Sequence, residues 1–199
     1  MSDRAGDRDV ATASDEELAA LAAREGSDGV AFTALVERFR ERVWRVCWRL
    51  MANEHDAQDA AQEVFVRLFF DRAKFAGRSR YSTWLHGVAL RTCLTLRRSR
   101  SRRRRRETPE AAAGDEARPV ETHADTRATA TQAVDAAHDV ARLLDGLDEE
   151  DRALVLMKFA EGHEYDELAE MFGTSAGALR MRVARIRERL AGRAEGGPR

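Results

Sequence analysis

The chain has 199 residues, 35% of them charged, with a formal net charge of −1, which leaves room for one or two domains. No apolar run approaches the roughly 20 residues that cross a bilayer, and the polar, acidic N-terminus does not read as a signal peptide, so the chain reads as cytoplasmic. Three prolines, thirteen glycines and abundant Ala, Leu, Arg and Glu favour helices, and no alternating strand pattern occurs, so the expected fold is all-α.

In chain order, residues 1–13 read as a disordered tail. Ser14-x-x-Glu17 is a capping box ahead of a short helix. From Phe32 to Leu50 the apolar positions Leu35, Val36, Phe39, Val43, Val46 and Cys47 mark a long amphipathic helix. Asn53 to Asp56 supplies a turn and a cap, and the next helix buries Ala60, Ala61, Val64, Phe65 and Leu68. Phe75 to Arg80 is a loop broken by Gly77, after which Ser82-Thr83 caps a helix starting at Trp84. That helix ends in eight arginines within the ten residues 97–106. Between Glu107 and Val140 there are eight acids, two arginines and two prolines, with almost no large apolar side chain before Val134. Such a segment cannot bury a core and reads as a flexible acidic linker. Periodicity returns with Leu143, Leu144, Leu147, Leu154, Val155, Met157 and Phe159, with Asp148 to Asp151 as cap and negative first turn. The predicted organisation is a tail 1–13, a helical domain 14–106, a linker 107–137, a helical domain 138–191 and a tail 192–199.

Tyr165 to Arg189 reads as a helix-turn-helix. Gly173 breaks the first helix, Thr174-Ser175 caps the second, and Leu179, Val183, Ile186 and Leu190 make one apolar stripe. The remaining surface carries Arg180, Arg182, Arg185, Arg187 and Arg189. A helix that packs on one side and offers guanidinium groups on the other suits a DNA major groove.

In the first domain Asp56, Asp59, Gln62 and Glu63 share one helix face. Spacing alone favours a solvated face, and the functional alternative is a docking surface for a basic or polar partner. Tyr81 and Trp84 beside Arg78 and Arg80 suit unstacked bases, although Trp84 also continues the apolar stripe of Leu85 and Val88. The arginine run suits phosphate contact. Cys47 and Cys93 lie in apolar helical patterns and read as buried reduced thiols. The five histidines are scattered, and no metal, cofactor or catalytic constellation is evident.

Together these segments resemble the extracytoplasmic-function (ECF) sigma factors of bacterial RNA polymerase. Asp56-Ala-Gln-Asp-Ala-Ala-Gln-Glu-Val-Phe65 is similar to the family's second sigma region, Phe75-x-Gly-x-x-x-Tyr-x-Thr-Trp-Leu85 to its promoter-melting segment, and Leu147 to Arg189 to its fourth sigma domain. The resemblance implies a non-enzymatic transcription initiation factor that binds core polymerase and promoter DNA, both duplex and melted non-template strand. It implies core docking, on the beta-prime coiled coil, by Asp56, Asp59, Gln62 and Glu63, with a further contact on the beta flap. It implies minus-ten contacts by Arg78, Ser79, Arg80, Tyr81, Thr83, Trp84, His86, Arg91, Arg97 and Arg98. It implies minus-thirty-five contacts by Thr174, Ser175, Ala176, Gly177, Arg180, Met181, Arg182 and Arg185. An anti-sigma factor is a candidate partner, and the linker would thread the polymerase's RNA path. Arg91 and Thr95 stand where family members usually carry Asn and Asp, and Met181 where a small polar residue is common. The rival readings are a stand-alone helix-turn-helix regulator and an RNA-binding adaptor using the arginine block.

Overall fold

The computed structural model describes residues 10, 12–25, 29–51, 53–107 and 146–195, and every regular element among them is helical. The expected linker beyond Glu107, the start of the expected second domain, most of the N-terminal tail and residues 196–199 lie outside the described residues, while residues 192–195, expected in the C-terminal tail, are helical. The chain forms two compact units, the first reaching to Leu96 and the second starting at Arg97, with Ala169–Gly173 grouped with the first.

The first unit is built on α1 (Asp15–Ala22), α2 (Val30–Met51), α3 (Glu54–Asp71), a 3-10 turn (Arg72–Lys74) and the start of α4 (Tyr81–Glu107). The predicted capping box opens α1: Ser14 Oγ accepts from Glu17 N, and the Glu17 carboxylate accepts from Ser14 N at 2.8 Å. α1 is short, and isolated helices of this length are marginal in water. It is held by burial of Leu18, Ala19 and Ala22 and by Arg38 of α2, which donates to Ala13 O at 2.7 Å and Asp15 Oδ1 at 3.0 Å. Asn53 caps α3 by accepting from Asp56 N at 3.1 Å.

The core alternates by helix period: Leu35, Phe39, Val43, Val46 and Leu50 of α2 meet the small residues Ala57 and Ala60 and the larger Val64 and Leu68 of α3. Each fully buried Leu, Val or Phe side chain contributes roughly 1.5–3 kcal/mol. Cys47 and Cys93 are fully buried free thiols with their Sγ atoms 3.7 Å apart, as the reduced pair the sequence predicts. The hydrogen bond between them and their burial raise the Cys47 pKa, which keeps it protonated.

Helix α4 departs from expectation at its start. It begins at Tyr81 rather than Trp84, so Thr83 lies inside the first turn and is buried, not at a cap. A carboxylate from a distant part of the chain does the capping: Glu16 Oε1 of α1 accepts from Tyr81 N at 3.0 Å. At the other end the helix continues through the arginine run to Glu107.

The second unit holds α5 (Glu149–Val155), a π-helical turn (Leu156–Ala160), the part of α6 (Tyr165–Phe172) up to Leu168, and α7 (Ala176–Glu195). Asp148 caps α5 by accepting from Asp151 N at 2.7 Å. Ala153, Leu154, Met157, Leu168, Leu179, Val183 and Ile186 are buried. The wider π turn changes the register of the apolar pattern, and Phe159, expected inside, is 61% exposed.

Candidate protein and nucleic-acid interfaces

Burial of Ala57, Ala60, Val64 and Leu68 turns the opposite face of α3 outward. Asp59 and Gln62 are exposed there, with Asp56 and Glu63 half-buried. Glu63 Oε1 accepts from Arg67 Nε at 2.8 Å, an i,i+4 pair within the helix, and His55 Nε2 lies 3.9 Å from Asp59. Exposed pairs of this kind are worth little and exchange readily for an external partner. Val66 and Phe70 continue the same line of the helix and are 50% and 74% exposed. Sequence reasoning missed them because apolar residues next to a core stripe read as part of it.

At the start of α4, Tyr81 is packed against Phe39, Phe75 and Trp84, with ring centroids 5.3–5.6 Å away. It is 3% exposed, and Thr83 and His86 are buried too. These three were expected to face promoter bases, and the structure corrects that: they present almost no surface. Burial, with Asp15 nearby, raises the Tyr81 pKa. Trp84 and Phe75 remain half-buried at the edge of the cluster, where the loop, turned by Gly77 at φ 66, brings exposed Arg78 and Arg80 and half-buried Ser79. Further along α4, Arg91 and Arg98 are exposed and Arg97 is half-buried.

In the helix-turn-helix, Gly173 takes φ 65, a conformation that favours glycine, and Ser175 Oγ accepts from Ala178 N at 3.2 Å. This sets exposed Thr174, Ser175 and Gly177, with half-buried Ala176, at the N-terminus of α7. Backbone amides and positive dipole there suit a phosphate. Burial of Leu179, Val183 and Ile186 leaves Arg180, Met181 and Arg185 exposed on the outer face. The Arg180 guanidinium lies over the Tyr165 ring at 5.1 Å, and Lys158 Nζ over the same ring at 4.8 Å.

Arg182 does not share that outer face. Its Nε donates to Asp151 Oδ1 at 2.5 Å, Nη1 to Glu150 Oε2 at 3.2 Å and Nη2 to Asp148 Oδ1 at 3.4 Å. Arg189 pairs with the other Asp151 oxygen. Burial disfavours the Asp151 carboxylate, but hydrogen bonds from Arg182 and Arg189 outweigh it and hold the group below the usual carboxylate range. Arg182, expected at DNA, is therefore a tie between α7 and the head of α5. Sequence reasoning saw Asp148 to Asp151 only as a cap, because nothing local relates them to a residue 31 positions away.

Among the described residues no group of three or more His, Cys, Asp or Glu is placed to hold a metal, and no helix is long and apolar enough to cross a membrane.

Residues 35–103 match the family described as sigma-70 region 2, and residues 137–190 match sigma-70 region 4. The chain is 31% identical over 178 residues to the ECF RNA polymerase sigma factor SigM of Mycobacterium tuberculosis, covering 89% of this chain and 83% of that protein. It is 31% identical over 159 residues to SigE of Mycolicibacterium smegmatis, covering 78% of this chain but only 58% of that longer protein. It is 25% identical over 167 residues to SigW of Bacillus subtilis, covering 82% and 88%. The fold is similar to CnrH, solved in complex with the cytosolic domain of CnrY, with a TM-score of 0.62 at 22% identity over 92% of this chain and 99% of that one. It is likewise similar to the sigma factor RpoE of Bartonella quintana, solved with the anti-sigma factor NepR, with a TM-score of 0.61 at 18% identity over 84% and 98%. The chain belongs to the ECF sigma factors, the transcription initiation factors that direct RNA polymerase to promoters.

Proposed function

We propose that this chain binds core RNA polymerase, carries it to a specific class of promoters and assists opening of the minus-ten element. The observation that carries the reading is the outward face of α3, where Asp59, Gln62 and Glu63 lie in one line opposite the core residues Ala60, Val64 and Leu68. Its negative charge suits a basic helical surface of the polymerase beta-prime subunit. The second unit would sit at the beta flap.

In this reading Arg78, Ser79, Arg80 and Trp84 border the place where minus-ten bases leave the stack, followed by Arg91 on the duplex side, while Arg97 and Arg98 pair with Glu149 and Glu150. Thr174 to Gly177 meet backbone phosphate, and Arg180, Met181 and Arg185 meet the minus-thirty-five element. Domain limits of 14–106 and 138–191 separate the two tasks, and the acidic linker occupies the polymerase's RNA path. An anti-sigma factor would compete for the same faces.

Reconstitution with core polymerase tests the reading by promoter-dependent run-off transcription. Asp59→Arg combined with Glu63→Arg is expected to abolish run-off and weaken core binding while leaving helicity intact. Unchanged core affinity would remove α3 as the docking face.

A further inference from the structure

The arginine run has a geometry that its sequence did not disclose. Helix α4 is unbroken from Tyr81 to Glu107, so residues 91, 95, 98, 102 and 106, spaced by four, three, four and four, fall along one line of it. All five of these residues, Arg91, Thr95, Arg98, Arg102 and Arg106, are exposed, whereas Thr92 and Cys93 behind Arg91 and Thr95 are buried. From Val88 to Arg106 the helix contains no acid. The face proposed for minus-ten contact thus runs directly into a row of guanidinium groups.

We infer that Arg102 and Arg106 form a sequence-independent clamp on the phosphates of double-stranded promoter DNA just upstream of the minus-ten element. The inference rests on the promoter reading above and extends it to residues outside the expected minus-ten contacts. Three observations favour duplex phosphate over other partners. Residues 97–106 contain only Arg and Ser, with no aromatic side chain on which an unstacked base could lie. The half-buried rings of Phe75 and Trp84 are at the opposite end of the same helix. In sequence order the run stands between the segments proposed for the minus-ten and the upstream minus-thirty-five elements. Arg102 to Arg106 spans roughly 6 Å, one helical turn, so the two guanidinium groups can reach phosphates of one strand together. Arg98 is engaged with Glu150 and Arg97 with Glu149, so the clamp is assigned to the two distal residues.

The test uses holoenzyme reconstituted from the full chain and core polymerase. Each phosphate contact contributes about 0.9 to the slope of log affinity against log salt. Arg102→Gln plus Arg106→Gln is expected to lower that slope by about 1.8, equivalent to a roughly 12-fold smaller affinity loss between 50 and 200 mM salt. The change should be equal for different spacer sequences and vanish on a template whose duplex ends at the minus-ten element. Arg102→Lys plus Arg106→Lys should keep the wild-type slope. Should the double Gln variant fold poorly, Arg106→Gln alone is expected to lower the slope by about 0.9.

An unchanged slope in a double variant that still assembles overturns the clamp while leaving the promoter reading intact. A slope change that persists on the truncated template overturns it too. Loss of binding to an RNA hairpin without change on promoter DNA would assign the row to RNA instead. Absence of promoter-directed run-off by the wild-type holoenzyme would remove the underlying reading, and the clamp with it.

Discussion

The two units secure the helices proposed to face DNA by different means. In the first, Tyr81 at the start of α4 is inserted among Phe39, Phe75 and Trp84 and is 3% exposed. In the second, Arg182 in the middle of α7 is held by three carboxylates, Asp148, Glu150 and Asp151. One lock is aromatic packing and the other is a charge network. Each consumes a residue whose chemistry alone suggests DNA. The lesson is that side-chain type identifies candidates for contact, and the element packed behind the helix decides which of them remain available. The locks should also differ in their response to conditions, since apolar packing ignores protons and salt while ion pairs do not.

The largest expected effect sharpens the aromatic side of this contrast. Tyr81→Ala should destabilise the first unit by about 3 kcal/mol, as large-to-small changes of buried aromatics do. Denaturant unfolding should show that loss to be independent of salt. A loss of open complex with unchanged stability would mean Tyr81 faces bases after all.

Next in size is Asp151→Asn, expected to cost about 2 kcal/mol. The figure lies below that of a fully buried pair because Arg182 and Arg189 are 29% and 52% exposed. The Asp151 pKa is depressed in the folded state. Its stabilisation is therefore complete above the unfolded value of about 3.9 and is lost as pH falls through the lower, folded value. Unfolding followed from pH 6 to pH 2 should show a shallower acid limb in the variant. Parallel curves for variant and wild type would separate Asp151 from the lock.

A third experiment sets Arg180→Ala and Arg185→Ala against Arg182→Ala. The first two should cost about 1–3 kcal/mol of promoter discrimination with stability unchanged, and the last should act mainly on stability. Measured promoter affinities and melting temperatures place each arginine on one side or the other. Equal effects of all three on both readouts would erase the distinction.

The smallest effect belongs to Phe70, which lies outside both locks. At 74% exposure, Phe70→Ser should change stability by less than about 0.5 kcal/mol. Any weakening of polymerase binding in a titration then reports contact rather than folding.

Much of this architecture was legible before any coordinates. Helix periods in α2, α3 and α7 follow from which residues are apolar, because a 3.6-residue repeat and a buried stripe are local properties. The Ser14–Glu17 capping box, the turn at Gly173 and the cap at Ser175 are local for the same reason. The polar stripe on α3 and the outward Arg180 and Arg185 of α7 are readable from spacing, and the family follows from motifs that span most of the chain. What only the tertiary structure decided are relations between distant residues. Glu16 caps a helix 65 positions away, and Arg182 finds Asp151 across 31. Tyr81 and His86 are inside although their chemistry suits a DNA surface. No local rule predicts these outcomes, because a polar or aromatic side chain is stable either in water or in a satisfied interior, and only its packed neighbours make that choice.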